Sequence, residues 1–111
     1  MDATKRKWKR FKVDIRVRIR RWGEPEESAC VVRTYELSEG GMSVYASETL
    51  DLGTFMLAEF SLPPSPGGLR IRAMVRNRRG FRCGLEFVDL AAGERSELLR
   101  YLGSLADVIE I

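Results

Sequence analysis

Between Phe11 and Arg20 the chain alternates without exception: Phe11, Val13, Ile15, Val17 and Ile19 are apolar, and Lys12, Asp14, Arg16, Arg18 and Arg20 are polar. Side chains on a β-strand point to opposite faces in turn, whereas a helix repeats every three or four residues. Strict period two over such a length therefore leaves one solution, a strand with one buried and one wet face. Such a strand cannot shelter its own apolar face, so the rest of the chain must supply partners.

It supplies five more strands and a helix. After the turn signal Trp22-Gly23-Glu24-Pro25, the β-branched and aromatic run from Ala29 to Tyr35 predicts a second strand, Met42 to Ala46 a third, and Thr54 to Leu62 a fourth. The stretch Pro63-Pro64-Ser65-Pro66-Gly67-Gly68 ends the fourth, because its prolines offer no N–H to a ladder. Leu69, Ile71, Ala73 and Val75 alternate with Arg70, Arg72, Met74 and Arg76 in a fifth strand. Arg78-Arg79-Gly80 then turns the chain into a sixth, with Phe81, Cys83, Leu85 and Phe87 on one face. Beyond Asp89, read as an N-cap, Leu98, Tyr101, Leu102, Leu105, Val108 and Ile109 recur at helical spacing. The expected fold is all-β with a C-terminal helix: a six-stranded antiparallel β-barrel, closed because closure removes exposed strand edges, with the helix over one end. At 111 residues this is one domain, divided into a basic N-terminal arm (1–10), the barrel (11–89) and the C-terminal helix (90–111).

The composition argues against an enzyme. There is no histidine, which removes the commonest general base, the commonest metal ligand and the Ser-His-Asp and Cys-His arrangements. No nucleophile elbow surrounds Ser38, and neither phosphate-cradling glycine motif is present. Cys30 and Cys83 lie far apart without CxxC spacing and read as small core residues, not as a metal site or a disulfide. No apolar run is long enough to cross a bilayer and the first residues are charged, so the expectation is a cytoplasmic protein without a membrane partner.

Charge is distributed unevenly. Residues 1–21 carry ten lysines and arginines against Asp2 and Asp14, a balance of +8, while the remainder carries −5. Positive charge gathered at one end of a mildly acidic body points to an anionic partner. Two features bear on which one. Arg6 and Arg10 stand four residues apart just before the first strand, and guanidinium forks match both a phosphate and the O6/N7 edge of guanine. Later, Glu36-x-Ser38-x-Gly40-Gly41 sets a carboxylate, a hydroxyl and two glycines between strands. The carboxylate can accept from the N1–H and N2–H of guanine, and the glycines would give the positive φ of a tight turn and let a flat ring approach the backbone. The residues alone leave other readings open: solvated charges on a tail, and a hairpin turn whose serine bonds its own backbone.

Taken together, Arg6-x-x-x-Arg10 with Trp8 between them, the alternating strand, and Glu36-x-Ser38-x-x-Gly41 resemble the motifs of the PilZ domain, the bacterial receptor module for cyclic di-GMP. "FRCGLEFVDL" is similar to that family's last strand, with its Gly-x-x-Phe at Gly84 to Phe87. The resemblance covers nearly the whole chain and implies a six-stranded barrel, no cofactor, and cyclic di-GMP as the ligand. It further implies a site made of Arg6, Arg10, Glu36, Ser38, Gly40 and Gly41, with Lys5, Trp8, Arg76 and Asn77 as secondary contacts. The implied function is a signalling receptor whose N-terminal arm changes posture on binding and is read by a partner protein. One position departs from the family pattern: Glu36 stands where the family has Asp or Asn. The alternative function is a degenerate PilZ-like adaptor that works through protein contacts without the nucleotide. A nucleic-acid-binding barrel is disfavoured because the aromatics fall mostly in apparent core positions and the wet faces lack a stacking platform.

Overall fold

The computed structural model describes residues 9–47, 50–63 and 67–105. Six strands and one helix follow in chain order: β1 (Phe11–Arg21), β2 (Cys30–Leu37), β3 (Gly41–Tyr45), β4 (Phe55–Ser61), β5 (Gly68–Arg79), β6 (Arg82–Phe87) and α1 (Ala92–Leu105). The strands close into a barrel in the order β1-β2-β3-β6-β5-β4. All six neighbouring pairs are antiparallel. Each predicted strand is present, with bounds within a few residues of the expected ones.

Alternation decides what lies inside. Val17 and Ile19 of β1, Val44 of β3, Ile71, Ala73 and Val75 of β5, and Cys83 and Leu85 of β6 all point into one core. Three ladders carry a register shift: β1–β2 between Lys12 and Ile15, β2–β3 between Thr34 and Glu36, and β5–β6 between Val75 and Asn77. An extra residue on one strand bends it and re-aims the side chains beyond it. At the second shift, Thr34 is a polar residue buried among the core side chains, only 1% exposed. Its hydroxyl lies 3.0 Å from the Glu36 carbonyl and 2.8 Å from the Ser43 carbonyl, so its single proton has an acceptor on either strand and the buried group is satisfied.

The helix covers part of the core as expected, with Leu98 and Leu102 buried and Tyr101 and Leu105 packed beside them. Val108 and Ile109 lie outside the described residues. Asp89 does not cap it. Asp89 sits at φ 53, and its carboxylate takes a 3.3 Å bond from Arg72. The first turn is instead closed by Glu94, whose Oε1 accepts from the Ala91 N–H at 3.1 Å, the backward half of a capping box. Phe81 also departs from expectation: it falls in the two-residue turn between β5 and β6 and is 71% exposed. Helical period and strand alternation identify elements well, but neither can tell the last residue of a strand from the first residue of its turn.

Candidate ligand-binding site

The second sequence motif sits where β2 turns into β3. Ser38 N–H donates to the Gly41 carbonyl at 2.9 Å, closing a tight turn. The Ser38 hydroxyl accepts from the Gly40 N–H at 3.1 Å and lies 3.4 Å from the Gly41 carbonyl. A serine bonded to its own backbone in this way is a turn-former, so the hydroxyl serves the architecture of the turn while the residue also lines the cleft. Across the turn, Phe87 N–H donates to the Gly40 carbonyl at 2.8 Å, pinning the loop to the end of β6.

The glycines act differently from the expectation. Neither Gly40 nor Gly41 is in the positive-φ region; among the described glycines that conformation falls at Gly23, Gly53 and Gly80. What Gly41 needs is space, because a Cβ there would stand 2.2 Å from the Leu85 carbonyl oxygen. The β3 backbone can therefore approach β6 at this point only without a side chain. Gly84 is a second such position: its missing Cβ leaves room for the Asn77 amide, whose atoms would otherwise be 2.6 Å away.

Register then assembles a row of outward-facing residues. Lys12 of β1 is opposite Glu36 of β2, Glu36 is opposite Ser43 of β3, Ser43 is opposite Gly84 of β6, and Gly84 is opposite Asn77 of β5. A cleft of about 620 Å³ lies along this row, lined among others by Arg10, Glu36, Ser38, Gly40, Gly41 and Asn77. That volume lies in the usual range for small-molecule sites. Arg76 also lines it and is ion-paired with Glu86 at 2.8 Å.

Arg10 and Glu36, 26 positions apart in sequence, meet directly: a guanidinium nitrogen is 3.2 Å from Glu36 Oε1. Ser43 donates to the same oxygen at 3.2 Å. The Glu36 side chain is 17% exposed and that of Arg10 42%, so the carboxylate is the better sheltered of the pair and the cation stands at the rim. Behind the turn, Arg95 of α1 holds Glu39 at 2.8 Å, tying the loop to the helix.

All sequence-predicted site residues that the structure describes are thus gathered in one cleft. Lys5, Arg6 and Trp8 lie outside the described residues. Sequence reasoning missed Ser43 and Gly84. Ser43 was legible from the alternation of Met42-Ser43-Val44-Tyr45, which turns it outward beside Glu36; the role of Gly84 depends on the bulge in β5, which the sequence does not announce. A further cleft of about 550 Å³ opens between β1, β4, β5 and the start of α1, where the Arg72 guanidinium lies 4.0 Å from the centre of the Trp22 ring. It holds none of the motif residues. Among the described residues no cluster of His, Cys, Asp or Glu could hold a metal, and no helix is long and apolar enough to cross a membrane.

Comparison with known proteins gives a consistent picture. The fold is similar to the inhibitor of motility MotI/DgrA of Bacillus subtilis, with TM-score 0.73 and 20% identity over 94% of this chain and 52% of that one. The chain therefore spans about half the length of that protein. It is also similar to the PilZ domain of YcgR from Escherichia coli, solved with c-di-GMP (TM-score 0.72, 18% identity, 93% of this chain and 92% of that one). A third likeness is to the PilZ domain of CeSA from a cellulose-synthesizing bacterium (TM-score 0.64, 18% identity, 87% and 97%). At such identities the likeness is one of fold. No curated protein matches the sequence. The family model of the PilZ domain, however, matches residues 4–104, nearly the whole chain, and the chain belongs to the PilZ domain family.

Proposed function

We propose that this PilZ domain is a receptor for cyclic di-GMP. The observation that carries the reading is the convergence of Arg10 from the leader and Glu36 and Ser38 from the turn on one cleft, with Arg10 and Glu36 3.2 Å apart. Arg10 is suited to a phosphate or a guanine O6/N7 edge, Glu36 to the guanine N1–H and N2–H, and the glycine turn to a flat ring. The choice of ligand is supported by one structural relative, the YcgR domain solved with c-di-GMP. Binding draws the basic arm, residues 1–10, across the nucleotide, and the changed surface is what a partner protein reads.

Calorimetric titration of the protein with cyclic di-GMP, with GTP as control, tests this. Replacing Arg10 by alanine removes a charged bond set of about 1.5 to 3 kcal/mol, a loss of roughly ten- to more than a hundredfold in affinity. Equal binding by variant and parent counts against the assignment.

A second reading, an adaptor that no longer takes the nucleotide, is favoured by the same ion pair. Glu36 already neutralises Arg10, so a phosphate must compete with a carboxylate for that guanidinium. An NMR titration with cyclic di-GMP in which no resonance moves selects this second reading.

A further inference from the structure

One step along the strands from the ligand cleft, the register brings together a second outward-facing row. Arg16 of β1 is opposite Arg33 of β2, Arg33 is opposite Tyr45 of β3, Tyr45 is opposite Arg82 of β6, and Arg82 is opposite Arg79 of β5. All five residues are exposed. Neighbouring strands are about 4.8 Å apart, so the band runs for roughly 19 Å around the barrel.

This arrangement is costly by itself. Like charges directly opposite one another across a ladder are destabilising, and the band contains two such pairs, Arg16 with Arg33 and Arg82 with Arg79. Relief within the protein is incomplete. Asp14 reaches Arg33 at 2.7 Å, and Arg82 lies 5.8 Å over the ring of Tyr35. The Arg16 and Arg79 side chains, at the two ends, make no hydrogen bond or ion pair among the described residues. In the middle Tyr45 stacks on Tyr35 with ring centres 4.5 Å apart and stays 46% exposed. The sequence-based expectation is that the aromatics lie mostly in core positions; Tyr45 is one that stands on the wet face.

We propose that this band is a docking surface for an acidic segment of a partner protein. An anion laid across the row relieves both repulsive pairs at once. The choice of a protein over a polynucleotide comes from the flanks, where Val31 is 59% and Phe81 71% exposed. Arginine and tyrosine backed by exposed apolar groups make up the composition of a protein interface core. Carboxylates one helical turn apart, about 5.4 Å, fall close to the strand spacing, so an acidic helix face fits the row. The inference rests on the adaptor role in the proposed function and names the surface that role would use; it does not require the nucleotide.

The test uses the full chain and a fluorescein-labelled helical peptide bearing one glutamate per turn, its glutamine counterpart, and a single-stranded oligothymidine. The glutamate peptide binds and the glutamine peptide does not. Arg16→Thr and Arg79→Thr each weaken binding about three- to fivefold, the scale of an exposed ion pair. Both variants keep or raise the Tm, because a repulsion has been removed, and both titrate with cyclic di-GMP like the parent. That last measurement separates failure of the band from failure of the nucleotide site. Absence of peptide binding, equal binding by the variants, or tighter binding of the oligothymidine than of the peptide overturns the proposal.

Discussion

At the scale of single residues, the site is shaped as much by missing side chains as by those present. Gly41 and Gly84 look alike in the sequence, yet their surroundings differ. A methyl group on Gly41 meets a backbone carbonyl at 2.2 Å, which has nowhere to go, whereas one on Gly84 meets the end of the Asn77 side chain, which can swing away. Gly41→Ala is expected to destabilise by about 3 kcal/mol or more and Gly84→Ala by about 1 kcal/mol or less; urea denaturation of the two variants checks the order. Glu36 makes the second prediction. Its carboxylate is shared by Arg10 and Ser43, and shortening it by a methylene restores the side chain usual in the family. Glu36→Asp is expected to preserve or strengthen binding of cyclic di-GMP in a calorimetric titration, and a large loss means that the turn here is built around the longer side chain. The chemical types at these positions were readable in advance. The positive φ expected at Gly40 and Gly41 was not found, because a double glycine says that something must come close without saying whether it is a turn torsion or a neighbouring strand.

Among the elements, α1 is held from two sides by contacts of different strength. Its inner face buries Leu98 completely, at 0% exposure, and Leu98→Ala is expected to cost about 2–5 kcal/mol, read as a lower denaturation midpoint. Its outer contact to the turn between β2 and β3 is the exposed pair Arg95–Glu39 at 2.8 Å, and Arg95→Ala should cost less than about 1 kcal/mol of stability. If that pair steadies the turn, the same variant changes the affinity for cyclic di-GMP more than it changes the Tm, a comparison that separates positioning from bulk stability. The strand assignments show where pattern suffices. Period two in β1 and in Leu69–Val75 determines both the element and its buried face, since a one-residue slip would invert every side chain. The bulges are harder to read: in β1 the alternation runs on through the shift, and in β2 the bulge shows only as a change of phase, the buried positions stepping from Val32 and Thr34 to Leu37. They matter here, since one lies beside Glu36 and another beside Asn77.

At the scale of the whole molecule, one ionisable side chain in the core, Cys83, and one packed against it, Tyr101, resist losing their protons. Burial pushes the Cys83 thiol above its ordinary 9.0, with Arg78 opposing, and burial likewise raises the Tyr101 phenol above 10.0. In both cases the folded state holds a proton that the unfolded chain has already given up, so fewer protons are bound unfolded than folded and stability falls with rising pH. The contribution is fully present below about 9, the ordinary thiol value, and is lost as pH climbs through the raised folded values. Denaturation midpoints measured at about pH 8 and 10.5 should drop in the parent and drop less in Cys83→Ala, on the alkaline side where such thiols and phenols titrate. The cyclic order of strands was foreseen only as closure; that β3 pairs with β6, which brings the glycine turn against the end of the last strand, follows from tertiary packing that no local pattern records.

Each strand is hydrogen-bonded to a neighbour on both sides, so the sheet closes on itself, with β1 joined to β4 through its last four residues. It behaves as a stiff hoop. On the proposed reading, a signal from the cleft would travel through the turns and the helix fastened to that hoop, with the hoop as the fixed reference for their displacement.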